Sequence, residues 1–358
     1  MNKPKNIFNI LMFFILMGNT LVSCKPKEKT PLVVFAAGSL IGPFAALEKS
    51  FEAKYPNIDV VSEYHGSIQV IRHTTDLHQS TDVIATADHA LIPMLMYTVN
   101  DPDTGIPYAN WYLRFATNNL GLAYTATSKY SGEITTDNWM EIISRPDVKI
   151  GIADPRFDAS GYRALMAIKL AEKLYNKGYL FSDMFAGEFR IPLKVDEGGG
   201  KAIIRVPEVL EMKDGGHVVI RGASVQLLAL LESGDLDYAF EYESVIKQHK
   251  LNLLSLPAEL NLGNADLNQE YGNVSVKLDF QRFATVKPEF IGEQIGYGIT
   301  IPSDARHPKE AELFITYLLG PDGRQLMEDY YHPLFEKIDA NGYDNLPESL
   351  KQVSVPAQ

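Results

Sequence analysis

Four serines in this 358-residue chain share one local setting. Ser39 in "AAGSL", Ser67 in "YHGSI", Ser160 in "DASGY" and Ser224 in "RGASV" each follow a strand-like run and precede a helix-like one. A helix start leaves backbone N–H groups unpaired, and the helix dipole adds positive potential there, so the position attracts anions. Any one of the four is explained as a routine N-cap. Together, at the carboxyl edges of two sheets facing one cleft, they are expected to form a nest of neutral donors without Lys or Arg. Such a nest suits a dehydrated tetrahedral oxyanion. One end departs from the pattern, because "RFDASGYRAL" brings its own carboxylate, Asp158, to the helix start. A carboxylate repels a bound oxyanion unless one of the two is protonated or the carboxylate bonds the central atom directly. Without such a ligand, Asp158 reads simply as a helix-terminal acid favoured by the dipole.

The elements that must position these residues alternate. "PLVVFAAGSL" reads as a buried strand, and Phe44, Leu47, Phe51 and Tyr55 recur at helical spacing until Pro56. "IDVVSEYHGS" and "TDVIATAD" give two more strands, which implies right-handed βαβ units and an α/β class with parallel sheets. From about Arg114 the pattern restarts with "FATNNLGLAYT" as one strand, then "VKIGIADP", the long helix "SGYRALMAIKLAEKLY", "GGHVVIRGA", "SVQLLALLESGD" and "LDYAFEYES". "LNLLSLP" is a candidate return crossing, followed by "VSVKLDF", "EQIGYGITIP" and a helix broken near Gly320-Pro321. Two doubly wound lobes crossed twice by the chain account for this order. The expected division is lobe 1 at 31–116 plus 254–358 and lobe 2 at 117–253, with ligand in the crevice between them.

Composition narrows the function classes. At 46% apolar and 22% charged the chain reads as globular, and a net charge of −12 argues against nucleic acid as a partner. Lys3 and Lys5 precede "ILMFFILMG", an apolar run too short to span a bilayer, and then "LVSC". This resembles the bacterial lipobox, which implies a lipoprotein signal peptide at 1–23, acylation of Cys24 and a polar tether at 24–30. Cys24 is the one cysteine, so no intramolecular disulfide can form. The reading is an exported, lipid-anchored protein at the periplasmic or cell surface.

The order of the lipobox, "FAAGSL", "HGS", "DASGYR", "IRGASVQLLALLESGDLDYAFEYESVIKQH" and "YGITIP" resembles the molybdate/tungstate-binding components of ABC importers, closest to the archaeal-type group. The similarity runs from Pro31 to about Leu334 and is strongest in "SGDLDYAFEYESVIKQH". It implies a two-lobed type II periplasmic-binding-protein fold with tungstate or molybdate in the cleft, an ABC permease as partner, no cofactor and no enzymatic activity. Carried over residue by residue, the oxyanion contacts fall on Gly38, Ser39, Ser67, Asp158, Ala159, Ser160 and Tyr242. Asp158 would be a direct ligand to the tungsten or molybdenum, whose coordination shell can expand as that of sulfur or phosphorus cannot. One position departs: the group's "RPKETEL" carries a second, metal-coordinating glutamate, and here "RGASVQL" places Ser224 there.

Glu241 and Glu243 flank Tyr242 on a strand and are expected on its far face. "DEGGGK", Asp196 to Lys201, lacks Walker spacing and reads as a flexible connection. The eight histidines show no pair at a metal-ligand spacing such as HExxH, so no cation site is expected. The alternatives are a binding protein for sulfate or phosphate, or an exported enzyme on small anions using a Ser67–His65 pair.

Overall fold

The computed structural model describes residues 29–279 and 288–357. The expected signal peptide and acylation site, residues 1–23 and Cys24, lie outside the described residues. In chain order, β1 (Thr30–Ala37) leads through a 3-10 turn, Gly38–Leu40, into α1 (Ile41–Lys54), followed by β2 (Ile58–His65), α2 (Ser67–Thr75), β3 (Val83–Thr86) and β4 (Tyr112–Thr117). Then come β5 (Leu120–Tyr124), β6 (Ile150–Ala153), α3 (Ala159–Leu174), β7 (Lys194–Gly198), β8 (Lys201–Val206) and β9 (Val218–Arg221). Next are α4 (Val225–Ser233), β10 (Tyr238–Tyr242), α5 (Glu243–Gln248), β11 (Asn252–Ser255), β12 (Val274–Leu278) and β13 (Glu289–Ile291). The chain ends with β14 (Gly296–Thr300), α6 (Pro308–Leu319), α7 (Pro321–Asp329), β15 (Leu334–Asn341) and β16 (Val355–Pro356).

A seven-stranded sheet, ordered β16-β15-β4-β14-β3-β1-β2, forms the first lobe, and a five-stranded sheet, β11-β5-β10-β6-β9, the second. Strand β1 runs parallel to both its neighbours, as β6 does to β9 and β10. Its apolar run is buried because a central strand is covered on both faces. Helix α1 buries Phe44, Leu47 and Phe51, and both phenylalanines pack edge-on to Phe314 of α6 at 6.0 and 5.3 Å between centroids.

Three features differ from the sequence reading. "FATNNLGLAYT" is not one strand: β4 and β5 belong to different sheets, and the chain crosses between lobes at Asn118-Asn119. The segment assigned to the first lobe from residue 254 does not return at once. β11 completes the five-stranded sheet, and β12 pairs parallel with β8 in a four-stranded sheet, β13-β12-β8-β7. The return into the seven-stranded sheet comes between β13 and β14. Strand β7 alternates weakly and is mostly exposed, so nothing in its sequence announces the partner β8 gains from β12. Finally, the "DEGGGK" stretch is a tight hairpin joining β7 to β8. Gly199 and Gly200 both take positive φ, 58° and 80°, which a two-residue hairpin turn requires. No helix among the described residues is long and apolar enough to cross a membrane.

Candidate functional site

The carboxyl ends of β1, β2, β6, β9 and β10 meet where the lobes face each other. Asp158 is the N-cap of α3: its Oδ1 accepts from the Ser160 N–H and hydroxyl, both at 2.9 Å, and its Oδ2 from the Ser224 N–H at 3.2 Å. The carboxylate thus joins two helix starts. Burial raises its pKa, with the bonds from Ser160 and Ser224 opposing. Ala159, Ser160 and Ser224 are all buried beside it.

Across the cleft the turn before α2 closes on this segment. A Cβ added at Gly66 would sit 2.4 Å from the Phe157 carbonyl, so only glycine permits the approach, and the Ile68 N–H donates to that same carbonyl at 3.1 Å. Gly38 lies against Val225, the first residue of α4. The Ser39 hydroxyl shares a 2.9 Å hydrogen bond with the Tyr297 hydroxyl, and the Ser67 hydroxyl accepts from the Ala87 N–H at 2.9 Å. Tyr297 and Tyr242 have ring centroids 6.1 Å apart. All eight residues singled out by sequence therefore gather in one region.

That region is not free of cations, contrary to the sequence reading. Arg163, one turn into α3, is buried; its Nη1 donates to the Tyr242 hydroxyl and the Ala87 carbonyl, both at 2.6 Å. Its Nη2 lies 3.3 Å from Asp88, which also accepts from the Tyr162 hydroxyl. Burial alone would raise Asp88, but Arg163, His89 and the Tyr162 hydroxyl together hold it below the usual carboxylate range. Ala87 and Asp88 belong to the first lobe and Arg163 to the second, so this ion pair bolts the closed lobes together. A second group bridges the crossing: the Asn118 side-chain amide donates to the Ser244 hydroxyl at 2.7 Å and the Tyr297 hydroxyl at 3.1 Å. Ser244 in turn lies 3.1 Å from His332 Nε2, and burial drives His332 down to about 4, so it is neutral.

Glu241 also departs from its expected place on the far face. It is fully buried, its Oε1 accepts from the Tyr242 N–H at 2.7 Å, and its Oε2 has no partner among the described residues. Burial pushes its pKa up to about 8; the Tyr242 N–H and the Ser224 side chain oppose the rise, and the Asp158 charge adds to it. Glu241 lies within the paired strand, and every residue of that strand is buried, so the face opposite Tyr242 is covered as well. Glu243 is already in α5, paired with Lys247 at 3.2 Å. Arg163 stands inside the motif "DASGYR", and its place four residues after a helix start was the available signal. Asn118, Tyr297 and Asp88 carried none, because their roles depend on contacts between lobes.

Two α/β lobes linked by two crossings, closing over a polar cleft at their strand ends, form a type II periplasmic-binding-protein fold. Residues 32–331 match the model of a family described as bacterial extracellular solute-binding protein, and the chain belongs to that family. It is 36% identical to an uncharacterized solute-binding protein of Methanoculleus marisnigri, covering 91% of this chain and 87% of the relative. A second such protein, from Petrotoga mobilis, is 35% identical over 95% of this chain and 94% of its own. Among solved structures, the periplasmic molybdate-binding protein of Azotobacter vinelandii superposes with a TM-score of 0.51 at 14% identity, covering 85% of this chain and 100% of that one. The sulfate-binding protein of Mycobacterium tuberculosis gives 0.54 at 12% identity, covering 92% and 93%. These structural likenesses show the fold.

Proposed function

We propose that the cleft captures one tungstate or molybdate ion, delivers it to the permease of an ABC importer and performs no catalysis. The observation that carries this reading is the pair of buried carboxyl groups, Asp158 and Glu241, among hydroxyl and N–H donors, with the nearby cation, Arg163, already paired with Asp88. Beside an oxyanion of fixed coordination such carboxyl groups must stay protonated or repel it, whereas a tungsten or molybdenum centre can take them as ligands in place of their protons. Glu241 stands in for the glutamate that Ser224 displaces in the resembling group, and Ser39, Ser67, Ser160, Ser224 and Tyr242 with the Gly38 and Ala159 amides supply donors to the oxo groups. Ser67 does not act as a nucleophile here. Its oxygen accepts from the Ala87 N–H, which leaves the O–H free to donate, and no base among the described residues adjoins it because His65 faces Glu63 and His73 instead. Lipidation at Cys24 would hold the body to a membrane, and Cys24→Ser would release it.

Thermal unfolding with tungstate, molybdate, sulfate and phosphate tests the reading. At a thousandfold excess over the dissociation constant, the preferred ion stabilises by about 4 kcal/mol. Stabilisation by sulfate or phosphate with none from tungstate or molybdate overturns it in favour of a simple oxyanion, a reading that the buried Arg163 cation supports. X-ray absorption at the tungsten edge then asks for six oxygens in the unmutated protein and fewer in Glu241→Gln.

A further inference from the structure

The end of β2 carries a second constellation outside the cleft chemistry. Glu63 and His65 point the same way along β2, and His73 comes from the second turn of α2 packed beside it. One ligand atom from each of the three lies within 4.8 Å of the others. His65 Nε2 and Glu63 Oε2 are 3.6 Å apart, too long for a hydrogen bond. The two imidazoles lie with centroids 4.3 Å apart at 55°. His65 Nε2 and His73 Nδ1 are shielded from solvent, and neither has a hydrogen-bond partner among the described residues. Two ring nitrogens turned away from both water and protein donors forfeit their hydrogen bonds, a cost that a shared cation removes.

We propose that Glu63, His65 and His73 form a binding site for a first-row divalent transition cation, with zinc the best match. Two imidazole nitrogens and one carboxylate oxygen are the ligand types zinc takes, and a three-ligand set leaves a position for water on the exposed Glu63 side. Ligand atoms around a tetrahedral zinc are roughly 3.3 Å apart for bonds of about 2.0–2.1 Å, so the 3.6 Å His65–Glu63 separation needs little adjustment. Seven residues lie between the histidines, across a strand end, a turn and a helix, so no helical ligand spacing betrays them. The cation would clamp β2 to α2 on either side of the Gly66-Ser67 turn, stiffening one lip of the cleft.

The test uses the full mature chain, freed of metal by chelation, titrated with cobalt(II) and zinc(II) alone. One equivalent of cobalt should develop the visible d–d bands of a low-symmetry, four-coordinate site, and zinc should displace it. His65→Ala and His73→Ala should abolish the bands. Glu63→Gln, an exposed change that leaves folding intact, should weaken cobalt at least about tenfold. All three variants should keep the oxyanion-induced thermal shift, so failure here is separable from failure of the oxyanion reading. No stoichiometric cobalt or zinc binding, or binding that survives both Glu63→Gln and His65→Ala, overturns the site.

Discussion

The two walls of the cleft are built from the same device and furnished oppositely. On the first lobe, Ser39, Ser67 and Tyr297 present neutral hydroxyls at the ends of β1, at the start of α2 and in β14. On the second, the same strand-to-helix junctions carry Asp158 and Glu241 beside Ser160 and Ser224. A neutral donor wall attracts any oxyanion of suitable size, because its N–H and O–H groups cannot distinguish one central atom from another. On the proposed reading, a wall with buried carboxyl groups disfavours an anion that cannot relieve the repulsion of an ionised one or accept the hydrogen bond of a protonated one. Affinity and discrimination would, on that reading, fall on opposite lobes, with closure combining them. Arg163 sits at that join, anchored on the second lobe and bonded to Ala87 and Asp88 on the first.

The largest expected effect comes from breaking the join. In Arg163→Met, closure would bury Asp88 without its cation, and removing one partner of a buried pair costs about 3–5 kcal/mol. The open form hydrates Asp88 and avoids that cost. The loss therefore falls mainly on ligand affinity, by about a hundredfold or more, with a smaller drop in Tm. Calorimetry and unfolding on the same samples separate the two. Equal losses in both would mean that Arg163 serves the fold and not closure.

Legibility in the sequence followed the same division. The strand-to-helix ends were readable, since apolar runs, small residues and helical spacing are local signals, and Ser39, Ser67, Asp158, Ser160 and Ser224 all sit at such ends. The closing helix, too, breaks at Gly320-Pro321 as its residues indicate. What could not be read was set by partners distant in sequence. Asn118-Asn119 interrupts one apolar run between two sheets, and β8 finds β12 some seventy residues away through main-chain bonds. Alternation along "YAFEYES" misplaced Glu241 because the strand is buried on both faces, so the side away from Tyr242 is not a solvent face. The Arg163 ion pair exists only once two lobes meet.

The acidic wall can be broken by pH. Glu241 has its folded pKa raised from 4.5 to about 8, so the native state keeps a proton that the unfolded chain releases. Its contribution is fully present below about 4.5 and is lost as pH rises through 8. His332, lowered from 6.5 to about 4, acts in the opposite sense, losing stability as pH falls below 6.5. Between 4.5 and 6.5 the two slopes offset each other, and from 6.5 to 8 only the Glu241 slope of the two remains. There stability should decline by up to about 1.4 kcal/mol per pH unit, and Glu241→Gln should flatten the decline. Parallel curves for the two proteins would show that Glu241 ionises freely and does not face a dry cleft.

Asp158 sharpens the contrast at a smaller cost. Asp158→Ala removes an N-cap, worth about 1 kcal/mol of stability, together with the charge that excludes simple oxyanions. Sulfate affinity, measured against tungstate on the same variant, should rise relative to the parent. If the ratio is unchanged while Tm falls, Asp158 caps α3 and does nothing for selectivity.

On the neutral wall, position within one motif decides the outcome, and the smallest effect of all is expected at His65. Ser67→Ala removes a hydroxyl that accepts from the Ala87 N–H inside the closed cleft, leaving a buried donor unpaired at about 1–3 kcal/mol. His65 stands two residues earlier with its side chain a third exposed, turned toward Glu63 and His73. In metal-free protein His65→Ala should change oxyanion affinity by no more than about 0.5 kcal/mol, the range for a partly exposed side chain outside a site. A serine–histidine catalytic pair would lose both functions to either substitution, so measuring the two variants side by side tests the neutral wall as a binding surface. Equal, large losses of affinity would mean that His65 reaches into the cleft, and that the donors of the first lobe include an imidazole.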